Sequence, residues 1–163
     1  MFPPDIHDLA RRLIENCTAG KKRIATAESC SGGLIAGALT EIAGSSAVFE
    51  YGFVTYSDKA KSEMLGVPPE LIEQCGAVSA EIAEHMAEGA LDRARADFAV
   101  SATGIAGPGG GSTAKPVGLV YIGLARSGGP VFHYRCLFKG DRGDVRMQTV
   151  REALKLLSSA IDE

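Results

Sequence analysis

The sequence predicts a three-layer α/β/α sandwich with a mixed, mostly parallel sheet of about five strands. Three observations predict it. Helical and strand-like segments alternate along most of the chain. Two late strand segments are joined only by Ser127-Gly128-Gly129-Pro130, a connection short enough to demand an antiparallel hairpin. The 163 residues are 45% hydrophobic and 23% charged, enough apolar material to bury a sheet within one domain spanning 1–163.

The elements follow in order. Pro3-Pro4-Asp5 opens a helix whose Ile6, Leu9, Leu13 and Cys17 share one face, and Ala19-Gly20 ends it. Ile24 to Ala27 is a short buried strand, and Glu28 to Gly33 forms the turn after it. Leu34, Ile35, Ala38 and Leu39 give a second amphipathic helix closed near Gly44. Val48 to Tyr56, rich in aromatic and β-branched residues, is the second strand. Asp58 to Leu65 is helical up to Gly66, and Pro68-Pro69-Glu70 starts a short helix. Ser79 caps a further helix lined by Ile82, Met86 and Ala90. Phe98 to Ala102 is a strand, Thr103 to Lys115 a glycine-rich loop, and Val117 to Ala125 and Val131 to Phe138 form the hairpin. From Asp141 a long helix places Met147, Val150, Leu154, Leu157 and Ile161 on one side.

Charge and composition exclude several functions. The net charge is −3 and the pI about 5.7, without the clustered cations that nucleic-acid binding needs. No apolar run approaches the roughly 20 residues of a membrane span. Met1 to Ile14 has no apolar core of a secretory leader. The cysteines, Cys17, Cys30, Cys75 and Cys136, form no C-x-x-C pair and have no histidine at ligand spacing, so a reducing, cytoplasmic setting and no metal are expected.

Open α/β sheets bind ligands at the carboxyl ends of their strands, and two loops here leave such ends. In the first, Glu28 to Gly33, the helix start offers free N–H groups to an anion or oxyanion, and Ser29, Cys30 and Ser31 are three candidate nucleophiles. The plainer role of either serine is a helix cap. The second loop, Thr103 to Ser112, has enough glycine for backbone amides to cradle a phosphate, but it lacks the dinucleotide-binding spacing. Ser112 and Lys115 match an S-x-x-K string, yet Pro116 opposes the helix that pattern needs. Tyr56 ends a strand and Lys61 lies one helical turn beyond, where a desolvated lysine near a serine acts as a base. His7, His85 and His133 lie outside these loops, so no histidine triad is evident. Arg142 and Arg146, one turn apart at the start of the last helix, suit a phosphate or carboxylate.

The ordered segments Thr26-Ala27-Glu28-Ser29-Cys30-Ser31-Gly32-Gly33, Gly52 to Ser57, Gly76-Ala77-Val78-Ser79, Gly104 to Ser112, Lys115-Pro116-Val117-Gly118 and Gly140-Asp141-Arg142 resemble the CinA C-terminal domain family over nearly the whole chain. The resemblance implies metal-independent amide hydrolysis without a cofactor. Nicotinamide mononucleotide and water would give nicotinate mononucleotide and ammonia, in a homo-oligomer with a dimer favoured. On that reading Ser29 attacks, Lys61 helped by Tyr56 moves the proton, and amides of Ser31, Gly32 and Gly33 or of Thr103 and Gly104 stabilise the oxyanion. Gly107 and Gly109, with Lys115 or Arg142, would hold the phosphate. The alternative is a non-catalytic nucleotide-binding module tied to competence or DNA damage.

Overall fold

The computed structural model describes residues 1–162. Its elements are α1 (Pro4–Gly20), β1 (Ile24–Glu28), α2 (Leu34–Thr40), a 3-10 turn (Ser45–Ala47), β2 (Phe49–Val54), α3 (Asp58–Leu65), α4 (Pro69–Cys75), α5 (Ala80–Ala94), β3 (Phe98–Gly104), β4 (Leu119–Arg126), β5 (Val131–Leu137) and α6 (Arg142–Asp162). The strands form one sheet in the order β2-β1-β3-β4-β5. β1 pairs parallel with β2 and β3, and the β3–β4 and β4–β5 pairs are antiparallel, so the sheet is mixed and the expected hairpin is present.

Alternation along the central strands divides the core in two. Ile24, Phe98, Val100, Ala102, Val120, Ile122 and Leu124 face α1, α2 and α6. Ala25, Ala27 and Ala99 face α3, α4 and α5. The second face is built of small residues because α5 lies almost on the sheet. A Cβ on Gly123 would collide with the Ala83 carbonyl of α5, and one on Gly89 with the Leu65 carbonyl at the end of α3. Ser101 fastens the same contact, donating to the Ala83 carbonyl and accepting from the Gly123 amide.

Element boundaries shift where turns intervene. α2 stops at Thr40, before the 3-10 turn, rather than near Gly44. β4 starts at Leu119 because Gly118, at φ +94°, bends the chain first. Tyr56 falls outside β2. β2, β1 and β3 point their carboxyl ends the same way, and the starts of β4 and α6 reach that end too. β1 lies between β2 and β3, which are reached through helices on opposite faces, so a crevice opens where the strand order reverses.

Candidate active site

Ser29 is the first residue beyond β1. Its amide donates to the Ala102 carbonyl of β3, which extends the parallel ladder by one bond and fixes the serine at the strand end. Lys61 reaches it from the first turn of α3, a helix capped by the Ser57 hydroxyl on the Ala60 amide. The two side chains meet, with Lys61 Nζ 3.1 Å from Ser29 Oγ. Lys61 is only 1% exposed, unusual for a lysine. Nζ donates to the Thr55 carbonyl at 3.1 Å and to the Tyr56 carbonyl at 3.4 Å.

These partners suit both protonation states. An ammonium has three N–H groups for Ser29 Oγ and the two carbonyls. A neutral amine has two N–H groups for the carbonyls and a lone pair left for the serine proton. Burial lowers the Lys61 pKa from the usual lysine value, while Asp58, with Oδ1 4.0 Å from Nζ, pushes it back up. Burial pushes the Cys30 thiol up to about 12, so the neighbouring sulfur is protonated near neutrality and a poor nucleophile.

Ser29, Cys30, Tyr56, Asp58, Lys61, Ala77, Val78, Thr103, Gly104, Ala106 and Arg142 line a cavity of about 220 Å³. A second, of about 640 Å³, adjoins it and shares Ala106 and Arg142; it also holds Pro108, Val117, Gly140, Asp141 and Gly143. Arg142 is the cation common to both. Its guanidinium donates to the Gly107 carbonyl at 2.8 Å and to the Tyr56 hydroxyl at 3.0 Å. Tyr56, 62% exposed, therefore accepts from Arg142 and keeps its own O–H proton for another partner. Its hydroxyl points to Arg142, and only its carbonyl serves Lys61.

Several sequence-predicted residues lie elsewhere. The helix-start amides are already used. Fully buried Glu28 accepts from Gly33 N at 3.1 Å, Ile35 N at 3.0 Å and Ala36 N at 2.8 Å, filling the anion site with the chain's own carboxylate. The Gly32 amide closes the turn on the Ser29 carbonyl at 3.1 Å. Ser31 is fully enclosed, away from the cavity walls, and its hydroxyl has no partner among the described residues. The Thr103 hydroxyl donates to the Ala77 carbonyl. Lys115 turns away to the Cys75 carbonyl at 2.6 Å, and neither it nor Gly107 and Gly109 lines either cavity. Among the amides of the Ser29–Gly33 turn, those of Cys30 and Ser31 make no main-chain hydrogen bond among the described residues and lie beside the Cys30 sulfur; of these two residues only Cys30 lines the cavity.

Sequence reasoning missed two roles. Glu28 caps a helix that starts six residues later, outside local capping patterns. Arg146, in α6, donates from Nε to the Cys30 carbonyl at 3.1 Å and from a terminal nitrogen to the Ser31 carbonyl at 3.2 Å, holding the turn rather than facing a ligand.

Comparisons with known proteins agree with one another. The family model of the CinA C-terminal domain matches residues 6–161. The chain is 48% identical over 157 residues to the nicotinamide-nucleotide amidohydrolase PncC of Escherichia coli strain K12, covering 96% of this chain and 95% of that protein. It is 46% identical over 162 residues to a putative competence-damage inducible protein of Caldicellulosiruptor bescii, but spans only 39% of that relative's length. The crystal structure of competence/damage inducible protein CihA from Agrobacterium tumefaciens superposes with a TM-score of 0.97 at 54% identity, over 100% of this chain and 99% of that one.

Proposed function

This chain belongs to the CinA C-terminal domain family, and from that premise and its Lys61–Ser29 pair we propose that it is a nicotinamide-nucleotide amidohydrolase. The observation that carries the reading is a buried, pKa-lowered amine in hydrogen-bond contact with a hydroxyl at the end of a central strand. That arrangement activates a serine without histidine or metal.

In the proposed reaction, Ser29 Oγ attacks the carboxamide carbon and its proton passes to Lys61 Nζ. The carbonyl oxygen becomes an oxyanion facing the Cys30 N–H, beside the free Tyr56 O–H. Lys61 returns the proton to the departing nitrogen, the C–N bond breaks, and ammonia leaves an ester on Ser29. Water then attacks that ester, with Lys61 as base, and releases the carboxylate. The sum is nicotinamide mononucleotide plus water to nicotinate mononucleotide plus ammonia. Arg142, shared by both cavities, is the candidate partner for the phosphate. Asp141 in the second cavity is a carboxylate whose Oδ1 accepts from the Asp144 amide, and it supplies no positive charge to a phosphate. We further propose one domain over 1–163, acting in the cytoplasm as a homodimer with no nucleic-acid partner.

Ammonia release from nicotinamide mononucleotide by the purified protein tests the reading. Turnover is expected, and Ser29→Ala should lose at least about 10³-fold. Near-normal turnover in Ser29→Ala, or none in the wild type, refutes it.

A further inference from the structure

We propose that Arg146 is a positioning residue that acts through two peptide planes to aim the Cys30 N–H at the substrate carbonyl, an inference that rests on the amidase reading above. Arg146 is not among the residues that line the cavity; both of its guanidinium contacts go to main-chain carbonyls of the turn. In a planar trans peptide the N–H points opposite to the C=O. Holding the Ser31 carbonyl therefore directs the Gly32 N–H to the other side, where it donates to the Ser29 carbonyl at 3.1 Å. That bond fixes the Ser29–Cys30 plane in turn, and its remaining N–H belongs to Cys30. Cys30 is next to the nucleophile and lines the cavity, and its amide makes no main-chain hydrogen bond among the described residues.

A second contact, from Arg146 Nε to the Cys30 carbonyl, locks the middle plane of the turn. One planar fork thus restrains successive carbonyls, a task that a lysine cannot share because its ammonium lacks the fixed fork. Gly32 makes room for it: the chain there has φ +59°, and an added Cβ would lie 3.1 Å from the Arg146 terminal nitrogen. Glu28 secures the far end of the turn, so the peptides between Ser29 and Gly33 have little freedom except the flip that Arg146 opposes.

The test uses steady-state ammonia release by the full-length wild type, Arg146→Ala and Arg146→Lys, each confirmed folded by its melting transition. Removing one oxyanion donor typically lowers kcat by 10²–10³-fold, so loss of aim should cost about 10²-fold in both variants, with KM within about threefold. Methylguanidinium added to Arg146→Ala should restore kcat by about tenfold or more, and methylammonium should not. If Arg146→Ala does not fold, Arg146→Lys carries the test through the same kcat-against-KM split. Unchanged kcat in a folded variant, an equal loss through KM, or no recovery with methylguanidinium overturns the inference while the amidase reading stands. A wild type that releases no ammonia overturns both.

Discussion

Glu28→Gln tests how the nucleophile turn is anchored. The carboxylate binds Gly33 N and Ile35 N through Oε2 and Ala36 N through Oε1. Glutamine has one carbonyl oxygen, which can keep the pair at the Oε2 position. Its NH2 then faces the Ala36 N–H, donor against donor. One hydrogen bond to a charged group is lost, worth about 1.5–3 kcal/mol. The negative charge at the start of α2 also goes, worth about 1 kcal/mol when partly buried. The total is about 3 kcal/mol in a chain of this size, where each kcal/mol moves Tm by about 2–4 °C. Thermal unfolding at neutral pH should show Tm lower by about 6–12 °C. Glu28→Asp should also fail to recover wild-type stability, because the shorter side chain cannot span the same amides. A drop of less than about 2 °C in Glu28→Gln would refute the claim that this carboxylate holds the helix start.

Further predictions concern the chemistry. Cys30→Ala should lower turnover by less than about tenfold, against at least about 10³-fold for Ser29→Ala, because the thiol is protonated and only its main-chain N–H is used; the reverse order would make Cys30 the nucleophile. The Asp58 carboxylate favours the Lys61 ammonium and burial opposes it, while the neighbouring Cys30 thiol, protonated near neutrality, adds no charge. Asp58→Asn should therefore lower the Lys61 pKa further and move the rising limb of kcat/KM against pH to lower pH. A limb that stays or moves upward would contradict Lys61 as the base.

Much of this was legible in the sequence because chemistry at strand ends has a local signature. Apolar runs located β1 and β3, and residues at their carboxyl ends, Ser29 just past β1 and Thr103 near the end of β3, are in the cavity wall. Lys61 was legible from its place one turn past Tyr56, although its depth of burial was not, since burial depends on α3 packing against α5. The helix-start amides looked available because nothing nearby in sequence caps them; Glu28 reaches its three amides from five to eight residues away. Arg146 binds carbonyls more than a hundred positions earlier, which only the α6–sheet packing reveals. Lys115 was read as a ligand contact from its glycine-rich setting, but the Cys75 carbonyl at the end of α4 offers it an acceptor first.

The close seat of α5 makes the reacting centre hostage to sites remote from it. Gly89 faces the Leu65 carbonyl, and Leu65 ends the same helix that carries Lys61. A single methyl at position 89 would wedge α3 outward and draw the amine off the serine without altering any group that lines the cavity. A saturation library selected for turnover should thus tolerate almost nothing at 89 or 123, where the clearance is narrower than one carbon atom.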